Sequence, residues 1–186
     1  TGIRFQIIFA THSEKFVDFG YFHNARVIRK ASVGEAFEHR VHALSIMECS
    51  EYFAALLGKD AMSEQSFIAK LHIFLREMCE GFFAQKIILV EGVVDKAILE
   101  GVYRSLGREN ISEGLVIISS DGKTKMDRPF FIFNRLGIPT YAVFDSDVNT
   151  KDNAKHTANR LLQSIAGVDS PVDFPSGCFG RYAAFE

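Results

Sequence analysis

The chain has 186 residues, of which 47% are hydrophobic and 24% charged, and its net charge at pH 7 is −2. This composition predicts a globular chain with one good hydrophobic core, and the net charge excludes a uniformly basic, nucleic-acid-binding surface. No apolar run reaches the roughly 20 residues that a membrane-spanning helix needs, and the first residues lack a signal-peptide pattern, so we expect a cytoplasmic protein without a membrane partner. The 3 cysteines form no Cys-x-x-Cys pair, which favours neither a disulfide framework nor a thiolate zinc site.

The N-terminal part of the chain carries strand-like patterns. The apolar run Phe5–Ala10 stops at Thr11-His12-Ser13, which predicts a strand followed by a loop. The stretch Ala25–Lys30 predicts a further strand. The sequence contains no complete Gly-x-x-x-x-Gly-Lys-Ser/Thr pattern, so we expect no phosphate loop in this chain. Gly122-Lys123-Thr124 matches the end of the pattern, but Ile117 stands where the first glycine is required.

Between about residues 34 and 85 the apolar spacing becomes helical. The pattern predicts one helix over Glu35–Leu57 and a second from Ser63 to Phe82, which together form a helical hairpin. His39 and His42 stand three positions apart on the first helix, a spacing that suits a metal. Without a third ligand nearby, we expect solvated histidines there.

Apolar runs separated by helical patterns occupy the second half of the chain. The strand-like runs are Lys86–Val90, Leu115–Ser120 and Thr140–Phe144. Helices are predicted after the first two runs, one opening at Asp95 and one over Pro129–Leu136, and alternation of this kind gives right-handed βαβ crossovers. The predicted fold class is therefore α/β, with a Rossmann-like parallel sheet.

Two details of this half are also predicted. The helix that opens at Asp95 is expected to bury the apolar residues Ala97, Ile98, Val102 and Leu106. Beyond the third strand, a helix is predicted from about Ala154 to Ile165 and a fourth strand near Phe179 to Ala184.

Carboxylates follow directly after the first and third of these strands. Glu91 ends the first run, Asp95 lies in the following helical turn, and Asp145 and Asp147 end the third run. Parallel strands bring their carboxyl ends to one edge of the sheet, and a carboxylate that ends a buried strand is costly unless a cation or a donor meets it. Oxygen ligands suit Mg²⁺ or Mn²⁺ rather than Zn²⁺, so the acids predict one hard-metal site.

Several residues around this site have two interpretations. Asp95 alone is equally typical of helix capping, and an Asp-x-Asp triplet alone is common on solvated loops. Six basic residues are candidate contacts to phosphate, and the alternative for them is a solvated charged face: Lys123, Lys125, Arg128, Lys151, Lys155 and Arg160. Glu186 ends a further apolar run and is a candidate last metal ligand.

The motif Val90-Glu91-Gly92-x-x-Asp95, with Gly122 and Asp145-x-Asp147, resembles the TOPRIM domain of topoisomerases, primases and several nucleases. The segment Thr11-His12-Ser13 resembles the switch histidine region of ABC-type ATPases. With Phe82-Phe83-Ala84-x-Lys86 leading into the glutamate strand, the chain is similar to the overcoming-lysogenization-defect (OLD) family of ATP-dependent endonucleases.

The resemblance implies a domain organisation and an activity. It implies the tail of an ABC ATPase domain over 1–33, a helical linker over 34–85, and over 86–186 a TOPRIM nuclease domain cut short at its C-terminus. The implied enzyme cuts DNA with two Mg²⁺ or Mn²⁺ ions, as a homodimer or larger assembly in antiphage defence. Its metal-binding and catalytic acids would be Glu91, Asp95, Asp145 and Asp147. In the full-length protein His12 would contact the terminal phosphate of ATP.

Two other functions stay open at this point. One is a TOPRIM domain used for primer synthesis or strand passage, although no polymerase fold or tyrosine domain is visible in the sequence. The other is a non-catalytic, metal-bound module that holds an ATPase dimer together, against which the intact set of acids argues.

Overall fold

The chain folds into two sheets with helices packed on them, in a computed structural model that describes residues 6–33, 36–71, 76–110 and 112–185. Short 3-10 turns span Glu14–Phe16, Phe19–Asn24 and Lys123–Lys125. The first half contains β1 (Val27–Val33), β2 (Ala36–His42), α1 (Ile46–Leu57), α2 (Glu64–Leu71) and α3 (Met78–Gly81). The second half contains β3 (Lys86–Val90), α4 (Val93–Ser105), β4 (Leu115–Ser119), α5 (Asp127–Arg135), β5 (Thr140–Asp145), α6 (Asn153–Ala166), β6 (Gly177–Phe179) and β7 (Tyr182–Phe185).

The larger sheet has five strands in the order β4-β3-β5-β7-β6. The pairs β3–β4, β3–β5 and β5–β7 are parallel, and β6 joins the edge antiparallel to β7. In register, Val90 faces Ser119 on one side and Val143 on the other, so the strands end together at one edge. This arrangement confirms the predicted α/β fold with a mainly parallel sheet, and the fourth strand predicted near residues 179–184 corresponds mainly to β7.

The two faces of this sheet bury different side chains because residues alternate along each strand. Ile87 and Leu89 of β3 belong to the main core, which they share with α5 and α6. Ile88 and Val90 instead pack in a smaller cluster with Leu99 of α4. The central strand β3 is therefore apolar on both faces, as a buried parallel sheet requires.

Phenylalanines join the first half of the chain to the sheet. The rings of Phe19 and Phe133 lie 5.3 Å apart, and that of Phe82 lies 5.7 Å from Phe133. A Cβ on Gly81, the last residue of α3, would lie 2.5 Å from the Phe133 ring, so α3 can approach the ring this closely only with glycine at that position. Burial of each such ring contributes about 1.5–3 kcal/mol.

The predicted helix over Glu35–Leu57 is wrong in its first part. Residues 36–42 form β2, which pairs antiparallel with β1, and the helix α1 begins only after Ser45. Along 37–41 the charged residues Glu38 and Arg40 alternate with Phe37, a histidine and Val41, which is the period of a strand. The capping box of Ser45 and its third neighbour instead starts a helix. His39 and His42 thus lie on a strand, where residues three apart point to opposite faces.

Other predictions for the first half hold only in part. Residues 6–13 form no strand, and Ile7 and Ile8 in this segment are exposed, while Phe5 lies outside the described residues. The second predicted helix is present as α2 and the short α3, with residues 72–75 outside the described ranges. The strand predicted over Ala25–Lys30 is confirmed by β1.

The helix α4 buries a different face from the predicted one. Ile98 is 59% exposed, and Val102 and Leu106 are exposed as well, whereas Leu99 and Tyr103 pack on the sheet. The prediction followed the most apolar stripe of the helix, but tertiary contacts with β3 and β4 select the neighbouring stripe. None of the described helices is long and apolar enough to cross a membrane.

Candidate metal centre

The carboxyl edge of the sheet is built by the loops that follow β3, β4 and β5. The backbone N–H of Ser120 donates to the carbonyl of Val90 at 3.0 Å, and that of Gly122 donates to the carbonyl of Glu91 at 2.7 Å. The loop after β4 is therefore attached to the end of β3. Asp121 and Gly122 have φ angles of 56° and 118°, which turn this loop back towards the sheet.

Glu91 connects the ends of β3 and β5. Its Oε1 accepts a hydrogen bond from the backbone N–H of Asp145 at 2.8 Å. Burial raises the pKa of the Glu91 carboxyl, although this hydrogen bond and the charge of Lys123 act in the opposite direction. A half-buried carboxylate with a raised pKa at a strand end is typical of a functional position.

Asp147 pairs with two lysines. Lys123 donates to its Oδ2, and Lys155 of α6 donates to its Oδ1 at 2.7 Å. Burial acts to raise the pKa of Asp147, but the hydrogen bonds from both lysines outweigh it and hold the pKa below its ordinary value. Asp147 has a φ angle of 56°, a strained value for a residue other than glycine. Each oxygen of this carboxylate therefore has a lysine ammonium as its partner.

Asp95 and Asp145 take different places at the edge. Oδ2 of Asp95 accepts from the backbone N–H of Gly92 at 2.9 Å, so this acid caps the start of α4. Asp145 is exposed, and its backbone provides both the N–H that Glu91 accepts and a carbonyl that accepts from Lys123 at 2.6 Å. The sheet thus brings Glu91, Asp145 and Asp147 into one hydrogen-bonded group, with Asp95 at its border.

The donor chemistry of this group fits a hard divalent cation. Within the described ranges, no three side chains of His, Cys, Asp or Glu are already arranged around one point. The Lys123 ammonium instead lies against the Asp145 carbonyl and the Asp147 carboxylate, as a cation tethered to the chain. Both are oxygen ligands of the type that Mg²⁺ and Mn²⁺ prefer. The chemistry of these oxygens therefore fits such an ion.

The remaining predicted site residues have other neighbours. Lys125 pairs with Asp121 at 2.6 Å. Nη1 of Arg128 lies 3.5 Å from Oδ1 of Asp127, and the Arg128 guanidinium lies over the phenylalanine rings of Phe53 in α1 and Phe67 in α2. His12 is exposed in the N-terminal segment. Glu186 lies outside the described residues. The assignments of these residues to phosphate, ATP and metal stay predictions.

Two features of the site were not predicted from the sequence. The first is the pairing of Asp147 with Lys123 and Lys155, since lysines close to acidic strand ends suggested phosphate contacts instead. The second is a set of buried polar atoms with no hydrogen-bond partner in the part of the chain that the structure describes, among them Oγ of Ser120 and Oγ of Ser146. In the sequence, the only sign that Ser146 belongs to the site is its position between Asp145 and Asp147.

Comparison with known proteins identifies part of the chain. No curated protein matches it. Residues 82–147, about a third of the chain, match the family model described as overcoming lysogenization defect protein-like, TOPRIM domain. The match extends from the residues before β3 to Asp147 and so includes every acid of the hydrogen-bonded group, but it does not reach the expected ATPase tail over 1–33, which has no support from it. Residues 82–147 are therefore similar to the TOPRIM domain of OLD-like proteins.

Proposed function

We propose that this chain is part of a metal-dependent endonuclease that hydrolyses phosphodiester bonds in DNA. The observation that carries the proposal is the meeting of Glu91, Asp145 and Asp147 at the carboxyl edge of a parallel sheet inside an OLD-like TOPRIM domain. TOPRIM domains generally bind divalent metals. Glu91, Asp95, Asp145 and Asp147 would hold Mg²⁺ or Mn²⁺, and two such ions supply charge stabilisation and an activated water in phosphodiester hydrolysis.

The side chains of the site have separate tasks in this proposal. Glu91 is fixed by the Asp145 N–H, and its raised pKa suits a group that accepts a proton from an attacking water. Asp95 fixes the start of α4 next to it. Lys125 is available to phosphate, because its partner Asp121 is exposed and an exposed ion pair of this kind is weak. Arg128 remains a candidate phosphate contact.

A plasmid-nicking assay tests this function. With Mn²⁺, the chain by itself is expected to nick supercoiled DNA only slowly, and Glu91→Gln and Asp147→Asn are each expected to lower this rate by about a hundredfold or more. Glu38→Gln is the matched control, because Glu38 is an exposed acid on β2 that pairs with Arg40, two positions along the same strand. Cleavage that survives both site variants would exclude the proposed site.

A second candidate is a non-catalytic module that binds a partner through this edge. The pairing of both Asp147 oxygens with lysines favours it, because a neutralised acid also serves a purely structural role. Absence of cleavage by the wild type, with metal bound, would select this function.

The larger assembly remains a proposal as well. An ATPase tail over 1–33 with His12 sensing ATP, a linker over 34–85 that contains β2 as well as helices, a homodimer or larger homo-oligomer, and a role in antiphage defence rest on the resemblance to the OLD family alone.

A further inference from the structure

Lys123 places a positive charge inside the acidic group. Its residue surface is only 3% exposed, and its Nζ donates to the Asp145 carbonyl at 2.6 Å and to the Asp147 carboxylate. A buried ammonium is costly unless oxygen partners replace its water, so these two oxygens are what hold it in the site. The ammonium thus occupies two oxygens of the type that a divalent cation would take.

The chain delivers this ammonium from a fixed loop. Lys123 opens a 3-10 turn directly after Gly122, and the backbone of Gly122 is bonded to the end of β3. Asp147 is equally constrained by its left-handed backbone. Both partners of the contact therefore stand on backbone segments of defined conformation.

Lys155 differs from Lys123 in its exposure. Its side chain is 41% exposed on α6, whereas the Lys123 side chain is 2% exposed. Solvent can replace Asp147 as the partner of Lys155 when another cation arrives, and the energetic effect of this exposed pair is small. The buried lysine is therefore the main competitor for the Asp147 carboxylate.

We propose that Lys123 is an internal counter-ion that competes with the divalent cation for Asp147, so that metal binds only as the Lys123 ammonium leaves this carboxylate. The proposal rests on the metal site of the proposed function. Before metal binds, Lys123 stabilises the group of Glu91, Asp145 and Asp147 against mutual repulsion. The same contact lowers the affinity for metal, because a charge of equal sign must be displaced from the ligand.

The variant Lys123→Met tests this competition, because it keeps most of the aliphatic stem and removes the charge. Calorimetric titration of the chain with MnCl₂ at constant ionic strength is expected to show affinity higher by about tenfold or more in this variant, from the loss of a like charge a few ångströms from the ion. Thermal unfolding gives a second measurement: the variant should melt below the wild type without metal, and Mn²⁺ should stabilise it by a larger shift.

Lys125→Met is the matched control, since it makes the same change on the same turn but removes a partner of Asp121 rather than of Asp147. Its Mn²⁺ affinity should equal that of the wild type. If circular dichroism shows that Lys123→Met does not fold, Lys123→Gln, which retains an N–H donor for the Asp145 carbonyl, is expected to give the same gain.

The possible results separate this inference from the metal site itself. Equal or weaker Mn²⁺ binding by folded Lys123 variants, with binding abolished by Glu91→Gln, overturns the counter-ion and leaves the metal site intact. A wild type and variants that all fail to bind Mn²⁺ overturn both. Tighter binding by Lys123→Met and by Lys125→Met alike overturns the specific role of Lys123 and indicates a general electrostatic effect.

Discussion

At the scale of single residues, the sequence predicted where the acids lie but not what they contact. Glu91 and Asp145 follow buried strands, and a strand end fixes the position of the next residue whatever its neighbours are. The lysine contacts of Asp147 depend on how two loops turn, and these turns depend on left-handed backbone at Asp121 and Gly122. Such conformations have weak sequence signals, so the charge balance of the site became visible only in the structure.

The cap of α1 gives a prediction at this scale. The Ser45 hydroxyl accepts from the Glu48 N–H at 3.1 Å, and the Glu48 carboxylate accepts from the Ser45 N–H at 2.8 Å. Replacing Ser45 by alanine is expected to cost about 1 kcal/mol of folding stability at neutral pH. Urea unfolding followed by circular dichroism measures this difference.

This cost should depend on pH. The backbone and hydroxyl hydrogen bonds from Ser45 hold the pKa of Glu48 below its ordinary 4.5. A lowered pKa contributes stability above the ordinary value, and this contribution is lost as the pH falls through the folded-state value. The effect of Ser45→Ala should therefore shrink below pH 4.5. Ser105→Ala at the exposed end of α4 is the control, and an equal pH dependence there would contradict the assignment to Glu48.

At the scale of elements, the sequence predicted the strands of the sheet better than the first half of the chain. The run of residues 87–90 is apolar at every position because both faces of the strand are covered, and this pattern fits few other structures. The sequence predicts a helix over residues 36–42 because the apolar positions of this segment continue without a break into those of α1. The capping box at Ser45 was the local signal that separates the two elements.

The orientation of α4 gives a prediction at this scale. Leu99 packs against the cluster of Val90, Leu115 and Ile117, whereas Ile98 is mainly exposed. Leu99→Ala should destabilise the fold by about 2 kcal/mol, because it removes packed atoms and leaves a cavity. Ile98→Ala should change stability by less than about 0.5 kcal/mol, as is usual for an exposed position. Chemical unfolding of both variants measures the difference, and the reverse order would restore the face predicted from the sequence.

At the scale of the whole molecule, one core extends across the segments that the sequence divided. Phe53 of α1 and Phe67 of α2 belong to the same buried cluster as Ile87 of β3 and Phe130 of α5. The rings of Tyr52 and Phe131 stack at 4.1 Å across this contact. The spacing of apolar residues indicates whether a segment is a helix or a strand, but not which other segment it packs against. The sequence therefore predicts a linker for the helices of residues 46–71, although they cover the main core.

This shared core predicts cooperative unfolding of the helices and the sheet. Phe53 is 1% exposed, and Phe53→Ala should cost about 3–5 kcal/mol because it empties a large volume in the main core. If α1 and the sheet unfold as one unit, this loss must appear at distant positions as well. Hydrogen exchange should therefore show reduced protection at the backbone amides of Leu89 and Ala142 in the central strands, by the same free energy as at the α1 amides.

The comparison needs a variant that disturbs α1 without touching the core. Glu51→Gln serves as the control, because Glu51 is exposed on the same helix and the substitution leaves the packing of Phe53 unchanged. Its strand amides should exchange as in the wild type. Strand amides that keep their full protection in Phe53→Ala, while those of α1 lose it, would show that the sheet folds independently and that the helices form a separate unit. Equal losses would instead mean that α1 stabilises the strands whose ends position Glu91 and Asp145, so that a substitution far from the acids can weaken the site through the core.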